Sequence, residues 1–466
     1  MALATALLEE DQPEAAIAEL RAALDRDPAA DSIRRSLGEA LSDNGRHAEA
    51  LDVLTELAAP TIQDRVLIAR CKLGTGDREG AFSDFSAVEG DAMAAVRSRM
   101  GANAPAAMAQ PPVTIHQTAR LSPRAGEGVA TAGPDGQYAL RFRDCVLLSG
   151  EWLLIDREGR LFLDLLYHRP GGKASRYLAL PTADAAAVRM PATVETVDEP
   201  ALFVGGADNY YHWTMDFLPR LMGEDWMPEG SRLRLVTSGT KTAFEQRAFA
   251  LLGIAPDRLL ACTYPGAYRF RELIVPVMET RPFQPGGVPE PWRSMAEPAR
   301  LAWLRRRFSP WFGKGKGRRL FLSRGDSGQR RLVNEAAVVE ALDGWGFETV
   351  RLGGLPLQDQ IALFSEAETI VAPHGAALTN LVFAPDDARV VEIVPHFRPP
   401  PFFTAISRLR GLHHDCVFGD LVPPKDAALD RRFWDYEVDP QAVKATVDAI
   451  LPPLSTTTSP LPEGEG

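Results

Sequence analysis

Between residues 320 and 394, short apolar runs with strand character alternate with helical ones, and this pattern restricts the fold more than any other feature of the chain. Residues 320–322, 348–352, 369–372 and 390–394 read as strands. Residues 334–342, 356–367 and 376–383 read as the helices between them. Strands separated by helices do not pair as hairpins. They form a parallel, doubly wound sheet with helices on its faces. In an open sheet of that kind ligands bind outside the carboxyl ends of the strands, so the residues that follow each strand are the first to inspect.

Three of those positions carry chemistry. The strand at 369–372 runs into Pro373-His374-Gly375 and then into the small residues Ala376-Ala377, ending at Asn380. A strand that feeds a glycine turn and a helix N-terminus offers free N–H groups and the positive end of a helix dipole to an anion. Gly375 would let the backbone approach a phosphate, and His374 adds a donor. The strand at 320–322 is followed by Ser323-Arg324-Gly-Asp-Ser-Gly-Gln-Arg330-Arg331, with Asn334 as the expected cap of the next helix. Arginines on one such loop suit a pyrophosphate, because a guanidinium matches phosphate oxygens in a bidentate way; a solvated basic loop is the plainer alternative. Glu392 interrupts the apolar strand at 390–394. Burying it without a partner would be costly, and a sugar diol or a nearby arginine would serve.

A fourth constellation lies upstream, in Gly205-Gly206-Ala-Asp-Asn209-Tyr-Tyr-His212-Trp-Thr-Met-Asp216. It follows the apolar run 201–204, so the two glycines mark a strand-to-helix turn, with Asn209 as the helix cap. His212 and Asp216 are four residues apart and share one helical face. Such a pair can remove a proton from an attacking hydroxyl, or can be a structural ion pair.

The amino-terminal residues 1–92 read as helical repeats. Residues 15–20 (Ala-Ala-Ile-Ala-Glu-Leu) and 49–54 (Glu-Ala-Leu-Asp-Val-Leu) align at an offset of 34, the period of tetratricopeptide helix pairs, with Leu37-Gly38 at the repeat's Leu-Gly position and a shorter copy at residues 80–85. Residues 93–134, rich in Ala, Gly and Pro, read as a linker to the first strands of the next lobe. Residues 135–300 and 301–450 then make two α/β lobes, and residues 451–466 a disordered tail.

The formal charge of −11 argues against a nucleic-acid binder. Cys71, Cys145, Cys262 and Cys416 are far apart and form no metal or disulfide framework, which fits a reducing compartment. The amino terminus lacks a basic n-region, and no run of about 18 apolar residues exists to cross a membrane. No Walker A sequence is present, and no acidic DxD triplet appears where a Mg²⁺-bridged diphosphate would need it, so arginine and a helix N-terminus would meet the phosphate charge.

Taken in order, Gly205-Gly206, Asn209, His212 with Asp216, Arg324 with Arg331 and Asn334, His374-Gly-Ala-Ala-Leu-Thr-Asn380 and Glu392 resemble glycosyltransferase family 61. That family includes plant xylan arabinosyl- and xylosyltransferases and animal protein O-GlcNAc transferases. The resemblance covers roughly residues 200–395 and implies a GT-B-like pair of Rossmann-type lobes behind the all-α repeat region. It also implies an inverting transfer without an obligatory metal or other cofactor. Arg324, Arg331, Asn334, His374, Gly375, Ala376, Asn380 and Glu392 would bind a nucleotide-sugar donor, with Glu392 on the ribose. Asp216 or His212 would be the base. Gly205, Gly206 and Asn209 would face a glycan, lipid-linked or protein acceptor. Unlike the eukaryotic members, this chain has repeats and no evident anchor. A cytoplasmic enzyme of surface polysaccharide or glycolipid synthesis is therefore expected, at most peripheral at the inner face of the membrane, with a protein partner for the repeats. The rival expectations are a non-catalytic scaffold with a degenerate transferase domain, and a phosphotransferase or pyruvyl-type transferase.

Overall fold

The computed structural model describes residues 12–77, 79–81, 83–85, 113–119, 129–132, 137–162, 185–228, 231–239, 242–277, 297–325, 327–396, 401–424 and 431–451, with isolated positions at 4, 7, 87, 165 and 177. The chain divides into two compact units. One comprises Met1–Gly206, Arg220–Thr240 and Arg258–Glu290; the other comprises Ala207–Pro219, Lys241–Asp257 and Pro291–Gly466.

Among the described residues, the amino-terminal part of the first unit contains the helices α1 (Pro13–Arg26), α2 (Asp31–Asp43), α3 (His47–Leu54) and α4 (Ile62–Gly74). Ala16, Ile17, Leu20, Leu37, Leu41, Ala50 and Leu54 form their common core. Gly38 lets α2 and α3 meet closely, since a β-carbon there would lie 2.5 Å from the Leu54 side chain. This is the physical content of the Leu-Gly pair in the repeat. Thr61 opens α4 with a reciprocal capping box to Asp64. The shorter third copy falls partly outside the described residues, through Phe82.

The sheet of this unit is built from β1 (Val113–Ala119), β2 (Val129–Ala132), β3 (Tyr138–Leu148), β4 (Leu153–Ile155), β5 (Leu161–Phe162), β6 (Ala185–Arg189), β7 (Val194–Val197), β8 (Ala201–Gly205), β9 (Arg234–Ser238), β10 (Leu259–Cys262) and β11 (Ala267–Val277). Its main order is β10-β9-β8-β11-β3-β4-β5-β1-β6. Strands β8, β9 and β10 are parallel, but β11 pairs antiparallel with β3 along their lengths, from Ala267 opposite Leu148 to Val277 opposite Tyr138. The sheet is thus mixed rather than Rossmann-like throughout. The stretch read as a linker contains β1 and β2; most of its other residues, and nearly all of the tail, lie outside the described residues.

The second unit contains the expected parallel sheet. Its strands are β12 (Arg318–Leu322), β13 (Phe347–Val350), β14 (Ala367–Pro373), β15 (Arg389–Pro395), β16 (His413–Val422) and β17 (Asp435–Glu437), in the order β13-β12-β14-β15-β16-β17. All pairs are parallel except the last. Its helices are α5 (Ala243–Leu251), α6 (Pro298–Phe308), α7 (Glu335–Ala341), α8 (Leu357–Ser365), α9 (Phe402–Arg410) and α10 (Pro440–Ile450), with a 3₁₀ helix at Ala376–Phe383. β14 and β15 are buried along nearly their whole length, as strands covered on both faces must be. Val371, Val391 and Ile393 pack with Val338 of α7 and with Val443 and Val447 of α10. Because side chains alternate along a strand, Glu392 points to the opposite face, where α9 lies.

Chain order fixes where a ligand belongs. β12 leads outward to β13, whereas β14 leads the other way to β15 and β16. The carboxyl ends of β12 and β14 therefore border the crevice at which the winding reverses, the usual binding position in open α/β sheets.

Candidate active site

The loop after β12 supplies one wall of that crevice. Glu335, in the first turn of α7, accepts hydrogen bonds from Ser323 Oγ (2.5 Å) and from the Arg324 backbone N–H (2.9 Å). The loop is thereby tied to the helix it feeds. Arg324 folds back so that Nη2 donates to Ser327 Oγ (2.8 Å) and to the carbonyl of Gln329 (3.2 Å). Its other terminal nitrogen rests on Gly375. A β-carbon at residue 375 would lie 1.7 Å from Arg324 Nη1. Gly375 has an extended backbone (φ 174°) that any residue can adopt, so glycine is required there by the guanidinium and not by the turn.

Arg330 and Arg331 point to different places. Arg330 sits at φ +54°, a conformation that costs a non-glycine residue energy. Burial, with the like charge of Arg324 nearby, depresses its pKa. Arg331 turns away. Its Nη2 lies 2.7 Å from Asp435 Oδ2 and its backbone N–H donates to Asp435 Oδ1 (2.8 Å), with 57% of the side chain exposed. Asn334 does not cap α7 with its side chain. Its amide instead pairs with the backbone of Val438, donating to the carbonyl at 2.7 Å and accepting the N–H at 3.3 Å.

The turn after β14 supplies the other wall. His374 N–H donates to the carbonyl of Ile393 (2.8 Å), which extends the sheet by one residue. Ala376 begins the 3₁₀ helix rather than an α-helix. Glu392 meets neither an arginine nor open solvent. Its Oε1 is 2.6 Å from His374 Nδ1, and its Oε2 is 3.0 Å from His414 Nε2. His414 Nδ1 in turn lies 2.7 Å from Ser407 Oγ on α9. Burial pushes the Glu392 carboxyl up, but the bonds from the two imidazoles outweigh it and hold the group below its ordinary range. An ionised carboxylate only accepts, so both imidazoles donate to it.

The segment that carries His212 and Asp216 belongs to this same unit. Asn209 caps it, its Oδ1 accepting from Tyr211 N–H (2.9 Å) and His212 N–H (3.3 Å). The helix then widens into a π-turn over Trp213–Phe217, a distortion frequent at functional sites. His212 Nδ1 lies 2.8 Å from Asp216 Oδ2. The segment is anchored by Tyr210, whose Oη donates to Asn380 Oδ1 (2.7 Å) while Asn380 Nδ2 donates to Gln360 Oε1 (3.3 Å). Asn380 is fully buried and joins two elements. Phe402 lies against Tyr211 and His212, and Phe403 against Tyr211 and His374. One aromatic pair therefore flanks both imidazoles. Gly205 and Gly206 end the preceding β8 in the first unit. Gly205 has φ +83°, and the carbonyl of Gly206 accepts from Trp152 Nε1 (2.9 Å).

Arg324, His374, Gly375 and Glu392 are thus brought together, and His212 with Asp216 is joined to them through Asn380 and the Phe402–Phe403 pair. Arg331, Asn334 and Asn380 are engaged with protein groups. Sequence reasoning passed over His414, Phe402 and Phe403, although the alternation of His414, Cys416 and Phe418 is a strand signal. Among the described residues, Glu392, His414 and Cys416 offer ligand atoms within 4.8 Å of one another. Burial, with Glu392 and Asp415 nearby, pushes the Cys416 thiol up to about 12, and both Glu392 oxygens are engaged by His374 and His414.

The glycosyltransferase 61 family matches residues 210–391, a span that includes His212, Asp216, Arg324, His374 and Gly375 and ends just before Glu392. This chain carries a glycosyltransferase family 61 domain. A tetratricopeptide repeat matches residues 1–64. Among curated relatives, the beta-1,2-xylosyltransferase XYXT1 of Oryza sativa subsp. japonica is 33% identical over 27% of this chain and 23% of its own length. XAX1 of the same species, also named a beta-1,2-xylosyltransferase, is 35% identical over 28% and 23%. The EGF domain-specific O-linked N-acetylglucosamine transferase of Drosophila melanogaster is 29% identical over 26% and 25%. The chain thus spans about a quarter of the length of the relatives it matches. The solved structure of an iron-containing heptosyltransferase, TibC, aligns at 10% identity with a TM-score of 0.28, covering 67% of this chain and 89% of that one, a superposition too loose to define the fold. No helix among the described residues is long and apolar enough to cross a membrane.

Proposed function

We propose that the family 61 domain transfers a sugar from a nucleotide-sugar donor to a hydroxyl acceptor with inversion, on a GT-B-like pair of lobes. The observation that carries the reading is the Arg324 guanidinium seated on Gly375 in the switch crevice, with a second, half-buried arginine, Arg330, on the same loop. Two guanidiniums on one loop suit an anion, and a diphosphate matches the guanidinium fork. Arg324 and Arg330 then hold the diphosphate, together with the N–H groups that begin at Ala376. His374, held through Nδ1 by Glu392, lines the site beside the leaving phosphate. This assigns Glu392 to the orientation of His374 rather than to the ribose. Arg331, Asn334 and Asn380 shape the site through the protein groups they bind.

In the transfer, the acceptor oxygen forms a bond to the anomeric carbon as the bond from that carbon to the phosphate oxygen breaks. The acceptor proton passes to His212 Nε2. Asp216, bonded to Nδ1, fixes the tautomer and stabilises the imidazolium, as the carboxylate of a catalytic triad does. The nucleoside diphosphate leaves as an anion that Arg324, Arg330 and the N–H groups that begin at Ala376 stabilise, without a metal. The donor sugar follows the relatives only as far as pentose or N-acetylhexosamine. A cytoplasmic role in surface glycan or glycoconjugate synthesis, with the repeats holding a protein partner, completes the proposal.

Thermal unfolding against nucleoside diphosphates and nucleotide sugars, with and without EDTA, tests it. A ligand at about 100 times its Kd stabilises by about 2.7 kcal/mol. Stabilisation by one nucleotide family, insensitive to EDTA and lost in Arg324→Ala, is the expected result. Indifference to every nucleotide would refute the donor site.

A further inference from the structure

We infer that the nucleobase of the donor sits in a cavity of about 270 Å³ between the arginine loop and the start of β17, stacked on Phe433 and Trp434. The inference rests on the transferase reading above and goes beyond it by placing the base.

The cavity is lined by Gly328, Gln329, Val422, Pro424, Phe433 and Trp434, among others. It lies where β16 ends and the antiparallel β17 begins. Its lining is of the kind that takes a flat heteroaromatic ring: the Phe433 side chain, the Trp434 side chain with the Arg431 guanidinium over its ring (5.6 Å), aliphatic surface from Val422 and Pro424, and the main chain of a glycine-containing loop. Small-molecule sites combine apolar walls with a few polar groups in this way, and every base has a face that stacks on an aromatic side chain.

Position distinguishes this cavity from an ordinary surface hollow. In a nucleoside diphosphate one ribose separates base and diphosphate, so the base must lie within a ribose's reach of the groups that hold the phosphates. Gln329 lines the cavity, and its carbonyl oxygen is 3.2 Å from Arg324 Nη2. The same guanidinium rests on Gly375 at its other nitrogen. The aromatic strip and the arginine loop are also fastened to one another. Arg330 N–H donates to the carbonyl of Phe433 (3.4 Å), and Arg331 N–H donates to Asp435 Oδ1 (2.8 Å). This gives the Arg331–Asp435 pair a purpose that phosphate binding did not supply: it holds the base wall at a fixed distance from the phosphate clamp.

The test uses the full chain and calorimetric titration with UDP, GDP, ADP and CDP, and separately with inorganic pyrophosphate. The proteins are the parent, Phe433→Ala, Trp434→Ala and Trp434→Phe. Both alanine variants should bind the preferred nucleoside diphosphate about tenfold or more weakly, the scale of one base–aromatic stack, while Trp434→Phe stays close to the parent. Pyrophosphate affinity should be the same in all four, which also shows that the phosphate clamp is folded. Equal nucleotide affinity across the four proteins would overturn the inference and leave the donor reading intact. A matching loss of pyrophosphate affinity would overturn it too, by showing that the aromatics act through the loop. A parent that binds neither nucleotide nor pyrophosphate would remove the donor reading itself, and the cavity's role with it.

Discussion

Gly375→Ala isolates the contact on which the phosphate site depends. The new methyl would begin 1.7 Å from Arg324 Nη1. Restoring a normal separation of roughly 3.5 Å requires the nitrogen to retreat by about 2 Å. The backbone need not move, because φ 174° is open to alanine and the obstructing atom ends a flexible side chain. The retreat sacrifices the Arg324 bonds to Ser327 Oγ and the Gln329 carbonyl, at about 1 kcal/mol each. Replacing glycine at a permitted backbone position returns about 0.4–1 kcal/mol through the unfolded chain. Net stability should therefore fall by no more than about 2 kcal/mol. Donor binding should suffer more. A displaced guanidinium loses a charge-assisted contact to phosphate, about 1.5–3 kcal/mol, or roughly 10- to 150-fold in Kd. Calorimetric titration with the preferred nucleoside diphosphate measures this directly. The cycle with Arg324→Ala sharpens it, because the double variant should bind no worse than Arg324→Ala alone, as expected of two changes that remove one interaction. Unchanged affinity in Gly375→Ala, or full additivity in the cycle, would refute the claim that residue 375 is glycine for the sake of the arginine.

Arg330→Ala should weaken nucleoside diphosphate binding by about tenfold or more, as loss of a charged hydrogen bond does. Arg331→Ala, which breaks an exposed pair, should change stability little and affect pyrophosphate binding little. Reversed effects would return the phosphate role to Arg331. His212→Ala and Asp216→Asn should each lower turnover by about 10²- to 10⁴-fold with donor affinity retained; full activity in both would remove the base assignment. Glu392→Gln should destabilise by about 2–3 kcal/mol, because two buried imidazoles lose a charged acceptor. The sign with pH follows from the depressed carboxyl. The contribution is complete above the ordinary value of 4.5 and is lost as pH falls through the lower folded value. Denaturant midpoints measured from pH 7 downward should therefore converge for parent and variant in acid, and a constant gap would contradict the ionised Glu392.

The parts of this protein that were legible in its sequence are those governed by local period. The 34-residue offset, the alternation after residue 318 and the strand-to-helix turns at Gly205 and Gly375 each arise from neighbours along the chain, and each lies where the pattern placed it. The antiparallel ladder between β3 and β11 was not legible, because it joins residues more than a hundred positions apart and a strand's own sequence does not name its partner. The candidate site divides in the same way. That Glu392 would need a partner followed from its place in an apolar strand. Which partner followed only from the register that sets β15 beside β16 and brings His414 to the same face. Arg330 and Arg331 are adjacent and chemically identical, so sequence could not choose between them. The structure separates them: Arg330 sits in a left-handed turn, while the Arg331 side chain is taken up by Asp435. Where two neighbours share a chemistry, backbone conformation decides which groups each side chain meets, and a motif alone does not carry that distinction.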